Sequence, residues 1–170
     1  MNEMMGSNDF SKGGFSTTGK PVYIELLNLQ NETALFTGDQ GEQQLYTYTI
    51  PANFFTQNGS IIEAKIRAKY IAGANGFTGV LTVKLDGNTI FNADFVPFAA
   101  TNITSYIGQL VTLGEMVKLN GSTSVLNTGG LGFITYDNTV SHTITVSYAD
   151  AGNDATNTFQ GAFFRVTGIK

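Results

Sequence analysis

The stretch from Ile62 to Tyr70 alternates strictly between apolar and charged side chains. The apolar positions are Ile62, Ala64, Ile66, Ala68 and Tyr70, and the positions between them are Glu63, Lys65, Arg67 and Lys69. Successive side chains of a β-strand point to opposite faces, whereas a helix repeats about every 3.6 residues. The pattern therefore predicts a strand with one face in a core and the other in solvent.

The next segment repeats this alternation and then turns back. Its apolar positions are Phe77, Gly79, Leu81, Val83 and Leu85. Asp86-Gly87 follows, a pair typical of two-residue hairpin turns, in which both central residues need positive φ. Thr89 to Phe95 is predicted as the returning strand. We expect Ile62, Ala64, Ile66, Ala68, Leu81, Val83 and Leu85 to point into one core.

Further short strands are predicted on both sides of this hairpin. They are Val22 to Leu29, Leu45 to Ile50, one or two strands within Tyr106 to Leu119, His142 to Tyr148, and Phe159 to Ile169. The segments 73–76, 120–132 and 150–157 are predicted as turns or loops because they are rich in Gly, Asn, Ser and Thr. No long segment has helical periodicity. The pattern predicts an all-β, antiparallel β-sandwich of jelly-roll type over residues 21–170.

Residues 1–20 differ from the rest. They are rich in Gly, Ser and Thr, with isolated apolar residues at Met4, Met5, Phe10 and Phe15. This composition predicts an extended N-terminal arm that attaches to a partner surface.

The chain has few charges. Charged residues make up 13% of it, against roughly 25% in an average soluble domain. The net charge of −4 disfavours a nucleic-acid partner, which calls for a basic surface. No apolar run approaches the roughly 20 residues that span a membrane, and the first residues lack a secretory signal pattern. We therefore expect a soluble protein that binds neither nucleic acid nor a membrane.

Little in the sequence indicates catalysis. His142 is the single histidine and there is no cysteine, so a thiolate metal site is impossible and a zinc site would need carboxylates. His142 falls on the apolar face of a predicted strand, where a packed, hydrogen-bonded side chain is the favoured interpretation and a catalytic base the alternative. We expect no catalytic, cofactor-binding or metal-binding residues.

Two groups of acidic residues leave a calcium site and a catalytic carboxylate pair open as alternatives. Asp150, Asn153, Asp154 and Asn157 carry side-chain oxygens suited to calcium, but their spacing departs from the regular calcium loop, and backbone turns explain such residues as well. Asp86 and Asp94 could face each other across a hairpin as paired carboxylates, although exposed hairpin positions are the preferred interpretation.

Two other patterns favour plain structural interpretations. Lys65, Arg67 and Lys69 form a short basic stripe, which we interpret as a solvated face or as protection of a sheet edge, with subunit contact as the alternative. Gly129, Gly130 and Gly132 lie in a glycine-rich loop without the Lys-Ser/Thr pair of a phosphate-binding loop.

The segment Thr49 to Phe95, TIPANFFTQNGSIIEAKIRAKYIAGANGFTGVLTVKLDGNTIFNADF, resembles one found in bacteriophage virion accessory proteins. Phe159 to Ile169 resembles the terminal strand of the same modules. The resemblance implies a jelly-roll-like module of a head fibre, a tail fibre or a capsid decoration protein, often trimeric. It implies no catalytic or ligand-binding residue.

These observations predict a non-enzymatic structural protein of the virion surface, made in the host cytoplasm. It would attach to other virion proteins by its arm and expose a knob for assembly, stabilisation or contact with a host surface glycan. The alternative is a carbohydrate-binding β-sandwich module of a cell-surface or secreted protein. We also expect a homo-oligomer, because Tyr46, Tyr48, Phe159, Phe163 and Phe164 exceed what one small core needs. The resemblance favours a homotrimer.

Overall fold

The computed structural model describes residues 21–73, 79–95, 104–119, 124–128 and 132–170. The predicted arm, the residues 74–78 with Phe77, and the glycine pair 129–130 lie outside these ranges. The strands are β1 Tyr23–Leu29, β2 Phe36–Thr37, β3 Gln43–Ile50, β4 Ile61–Ile71, β5 Gly79–Leu85, β6 Asn88–Phe95, β7 Thr104–Lys118, β8 Ser124–Asn127, β9 Phe133–Tyr136, β10 His142–Asp150 and β11 Thr158–Ile169. One short 3-10 helix, Gly38–Gln40, follows β2. No helix in the described ranges has the length and apolar character to cross a membrane.

The strands form two antiparallel sheets. The large sheet has seven strands, six of them in the order β1-β11-β4-β7-β8-β9, while β2 pairs with β11 off this path. The small sheet has the order β3-β10-β5-β6.

Strand pairing identifies the sandwich as a jelly roll. Four pairs are nested along the chain: β1 with β11, β3 with β10, β4 with β7, and β5 with β6. They correspond to one long antiparallel ribbon folded back at the β5-β6 turn. Two further pairings, β4 with β11 and β5 with β10, roll this ribbon into two sheets. The β8-β9 hairpin is inserted between β7 and β10 and extends the large sheet. The predicted fold is confirmed.

The core lies between the two sheets and contains all seven side chains predicted to share it. Aromatic rings connect the layers. Tyr46 of the small sheet stacks on Phe164 of the large sheet with ring centroids 5.0 Å apart, and Tyr148 packs against Phe159 at 4.7 Å. Such contacts between large buried rings contribute beyond the area that they remove from water.

The alternation along β4 is confirmed, since its apolar positions are buried and Lys65 and Arg67 are exposed. The hairpin turn is also confirmed. Asp86 and Gly87 have φ of 49° and 80°, the left-handed values that a type I′ turn requires at both central positions.

The structure corrects one detail of the strand prediction and decides two alternatives. The loop predicted over 120–132 contains strand β8, which is held by pairing to β7 and β9. The segment Tyr106 to Leu119, predicted as one or two strands, belongs to one strand, β7, which has a register shift opposite Ile62 and Glu63. Asp86 and Asp94 are exposed hairpin positions, as preferred, and do not form a carboxylate pair, because Asp86 lies in the turn and Asp94 is opposite Val80 at the far end of the hairpin.

The structure also changes the interpretation of the basic stripe and of the aromatic residues. β4 lies between β11 and β7, so its basic stripe protects no sheet edge, while the solvated-face interpretation stands. Tyr46, Phe159 and Phe164 are at most 5% exposed. The core therefore uses them, and the predicted surplus of aromatic residues was wrong as a reason for self-association.

Candidate functional site

The outer face of the large sheet carries a compact set of charged side chains on adjacent strands. Register places Glu25 of β1 beside Thr167 of β11, which lies beside Glu63 of β4. In the neighbouring row, Arg165 of β11 is opposite Lys65 of β4. The side chains come together only through pairing of strands that are far apart in sequence.

These residues line a groove of about 370 Å³ across four strands. The complete lining is Tyr23, Glu25, Glu63, Lys65, Leu110, Arg165 and Thr167. Tyr23 and Leu110 are 56% and 60% exposed, which is high for large apolar side chains on paired strands. The volume lies within the roughly 300–1,000 Å³ of ligand pockets.

The charged side chains of the groove balance one another, with two carboxylates and two cations. Arg165 and Lys65 are like charges in directly opposed positions, an arrangement that is unfavourable without compensation. Arg165 Nε donates to Glu25 Oε2 at 3.0 Å, and Glu63 adds a second carboxylate. The Glu25–Arg165 pair is about half exposed, so it contributes roughly 0–1 kcal/mol to stability. It adds little to the fold but orients both side chains.

His142 is held on both sides of its ring. Its Nδ1 lies 2.5 Å from Asp86 Oδ2 and its Nε2 lies 2.7 Å from the carbonyl oxygen of Asp137. The ring stacks on Tyr136 with centroids 4.0 Å apart, and only 8% of the residue is exposed. The packed, hydrogen-bonded interpretation is confirmed. The contacts tie β10 to the hairpin turn.

The side-chain oxygens of Asp150 and Asn157 are engaged within the protein. Asp150 Oδ2 accepts hydrogen bonds from Asn157 Nδ2 at 2.7 Å and from the Asp154 backbone at 3.2 Å. Asp150 Oδ1 accepts from the Gly152 backbone, and Asn157 Oδ1 accepts from the Gly73 backbone at 2.6 Å. These are the contacts that the backbone-turn interpretation predicts. Within the described ranges, no three His, Asp or Glu residues are grouped as metal ligands would be.

Three buried tyrosines are held in the neutral, protonated form near neutral pH. Burial raises the pKa of Tyr46 to about 12, and it likewise raises the pKa of Tyr136 and Tyr148. The side chains that line the groove can bind a ligand by hydrogen bonds and charge. Sequence reasoning found Lys65 in the basic stripe but missed the groove, because its other members come from distant segments.

Comparisons with known proteins give little more. No protein-family model matches the chain, and no curated protein matches it. Among solved structures, it is similar to a chain in "Structure of infectious bursal disease virus Gx strain", with 9% identity and a TM-score of 0.38. The match covers 89% of this chain and 32% of that one, so this chain spans about a third of the relative's length. A likeness at this level carries no argument, and the fold assignment rests on the strand pairing.

Proposed function

We propose that the chain is a non-enzymatic structural protein of a bacteriophage particle, displayed on the virion surface as a jelly-roll knob. The observation that carries the proposal is the nested strand pairing of the jelly roll. Viral capsid domains use this architecture, as do lectin domains and cupins. The sequence resemblance over Thr49 to Phe95 falls on the end of β3, β4 and the β5-β6 hairpin, which are central parts of that pairing.

The test is the location of the protein in an infected culture. Particles are purified on a density gradient and analysed by mass spectrometry and by immunogold imaging with an antibody against the recombinant chain. We expect a fixed copy number per particle and labelling of the particle surface. Gradient-pure particles that lack the protein, with the protein left in the host fraction, would contradict the proposal.

We further propose that residues 1–20 attach the knob to the particle. The support is the isolated apolar residues Met4, Met5, Phe10 and Phe15 in a Gly/Ser/Thr-rich segment, which could bury apolar area in a groove of another virion protein.

A variant of the whole chain tests this role. With these four residues changed to Ser, it should keep the thermal midpoint of the wild type but be lost from particles. The matched control changes Lys12, Ser16, Thr17 and Thr18 to Ala and should be incorporated normally. Incorporation of the Ser variant at the wild-type level would refute the role of the arm.

The second candidate function is a carbohydrate-binding module of a cell-surface or secreted protein. The groove on the large sheet favours it, because exposed Tyr23 lies beside ordered charged hydrogen-bonding groups. The location experiment separates the two candidates, since a module of a cellular protein would be absent from particles.

A further inference from the structure

We propose that the groove on the outer face of the large sheet binds a neutral saccharide unit. The inference deepens the second candidate function and rests on its groove, and it does not depend on whether the chain belongs to a particle. It names one ligand class, a sugar ring without ionised substituents, and one position, the four-strand surface between Tyr23 and Leu110.

Charge balance points to a neutral ligand. Two carboxylates, Glu25 and Glu63, and two cations, Lys65 and Arg165, line the groove. An anion there would meet both carboxylates and a cation would meet both basic groups. Hydroxyl groups on adjacent ring carbons can instead donate to a carboxylate and accept from a guanidinium or ammonium group. Hydrogen bonds to ionised partners are the stronger kind, so this pairing favours a polyol.

One exposed apolar side chain at each end of the groove, Tyr23 or Leu110, can supply the other requirement. A pyranose ring has an apolar face of C–H groups, which packs on an aromatic ring or an aliphatic side chain. Tyr23 and Leu110 stand at β1 and β7, with the charged rows of β11 and β4 between them. Tyrosine has an apolar body and a polar hydroxyl, which suits a surface that is partly wet.

Strand pairing fixes the backbone of the site before a ligand arrives. All seven lining residues lie on paired strands, and the hydrogen bond from Arg165 to Glu25 holds two of the polar groups. Side chains already fixed in a binding geometry lose less conformational entropy on association.

The experiment uses the full chain on a printed array of neutral oligosaccharides built from hexoses and N-acetylhexosamines, with sialylated and sulfated glycans as charged arms. The strongest neutral glycan is then titrated by calorimetry against three variants. Tyr23→Ala and Arg165→Ala should each weaken binding by about tenfold or more. Lys84→Ala is the matched control, because it removes a similarly exposed ion pair, with Glu42, from the small sheet. It should bind as the wild type does.

The outcomes separate cleanly when each variant first shows a wild-type circular dichroism spectrum. Neutral-glycan binding that Tyr23→Ala and Arg165→Ala weaken, and Lys84→Ala does not, supports the site. The proposal is overturned if no neutral glycan binds above background, if only charged glycans bind, or if the groove variants bind as the wild type does. None of these results depends on finding the protein in particles.

Discussion

Ile66 lies in the middle of β4 and is 1% exposed, with the small sheet covering it. Ile66→Asp places a carboxylate among apolar side chains of the core. We expect a loss on the order of 4 kcal/mol in the free energy of unfolding, because a buried charge without a partner is costly. Urea denaturation followed by circular dichroism measures it. Thr49→Asp adds the same charge at an exposed position of β3 and should stay within about 0.5 kcal/mol of the wild type. Equal losses for both variants would contradict the assigned core face.

Glu42 provides a test of pH dependence. Its carboxylate accepts hydrogen bonds from Lys84 Nζ at 2.7 Å and from the Ser147 hydroxyl, and these bonds lower its pKa. A lowered pKa means that the charged form stabilises the fold above the ordinary value of 4.5, and that this stability is lost as pH falls through the folded-state pKa. Glu42→Gln should therefore melt below the wild type near neutral pH, with a gap that narrows in acid. Thermal scans from about pH 7 to about pH 3 follow the gap. A gap that is constant with pH would show that the charge is not the cause.

At the scale of elements, the long strands were predictable and the short inserted ones were not. β4 has 11 residues, enough for the two-residue period to be unmistakable. β8 and β9 have four residues each. A period of two repeats only twice in four residues, and the Ser, Thr and Gly around β8 indicate a loop more strongly. What makes β8 a strand is its pairing to β7 and the burial of its inward side chains, which are tertiary effects.

The β8-β9 hairpin is joined to the core through Leu126. This side chain is 2% exposed and lies over Gly114 of β7, where an added Cβ would come within 2.6 Å of it. We expect Leu126→Ala to cost about 2–5 kcal/mol in the free energy of unfolding, as do other fully buried leucines. Val125→Ala, at the adjacent half-buried position, should cost clearly less. Chemical denaturation measures both, and similar small losses would mean that the hairpin contributes little to the core.

At the scale of the whole molecule, the sheet class followed from sequence whereas the groove did not. The Asp86-Gly87 turn and the strands beside it mark the fold-back point of the ribbon, which is local information. The groove requires that Glu25, Lys65 and Arg165 meet on one face. That meeting is set by the register of β1, β11 and β4, and a shift of one residue would turn each side chain to the other face. Register between strands so distant in sequence leaves no local pattern.

We still expect the protein to self-associate, because of apolar side chains that are exposed on its surface. With Tyr46 and Phe164 buried in the core, the remaining exposed apolar side chains include Phe133 of the edge strand β9, at 68%, and Val117 of β7, at 43%. In the described ranges β9 pairs only with β8, and an unpaired edge beside exposed apolar groups favours association with a second copy.

Size exclusion with light scattering tests this at micromolar concentration. We expect a trimer, a number that comes from the resemblance to fibre modules, and a shift towards the 18.2 kDa protomer when Phe133→Ser and Thr135→Lys are combined. Leu35→Ser is the control, because Leu35 is 60% exposed but lies outside the sheets between β1 and β2, and it should leave the mass unchanged. A wild-type protomer mass that persists on concentration would refute self-association, and a stable dimer would refute only the trimer. An oligomer that keeps its mass in the β9 variant would place the interface elsewhere on the knob or in the arm.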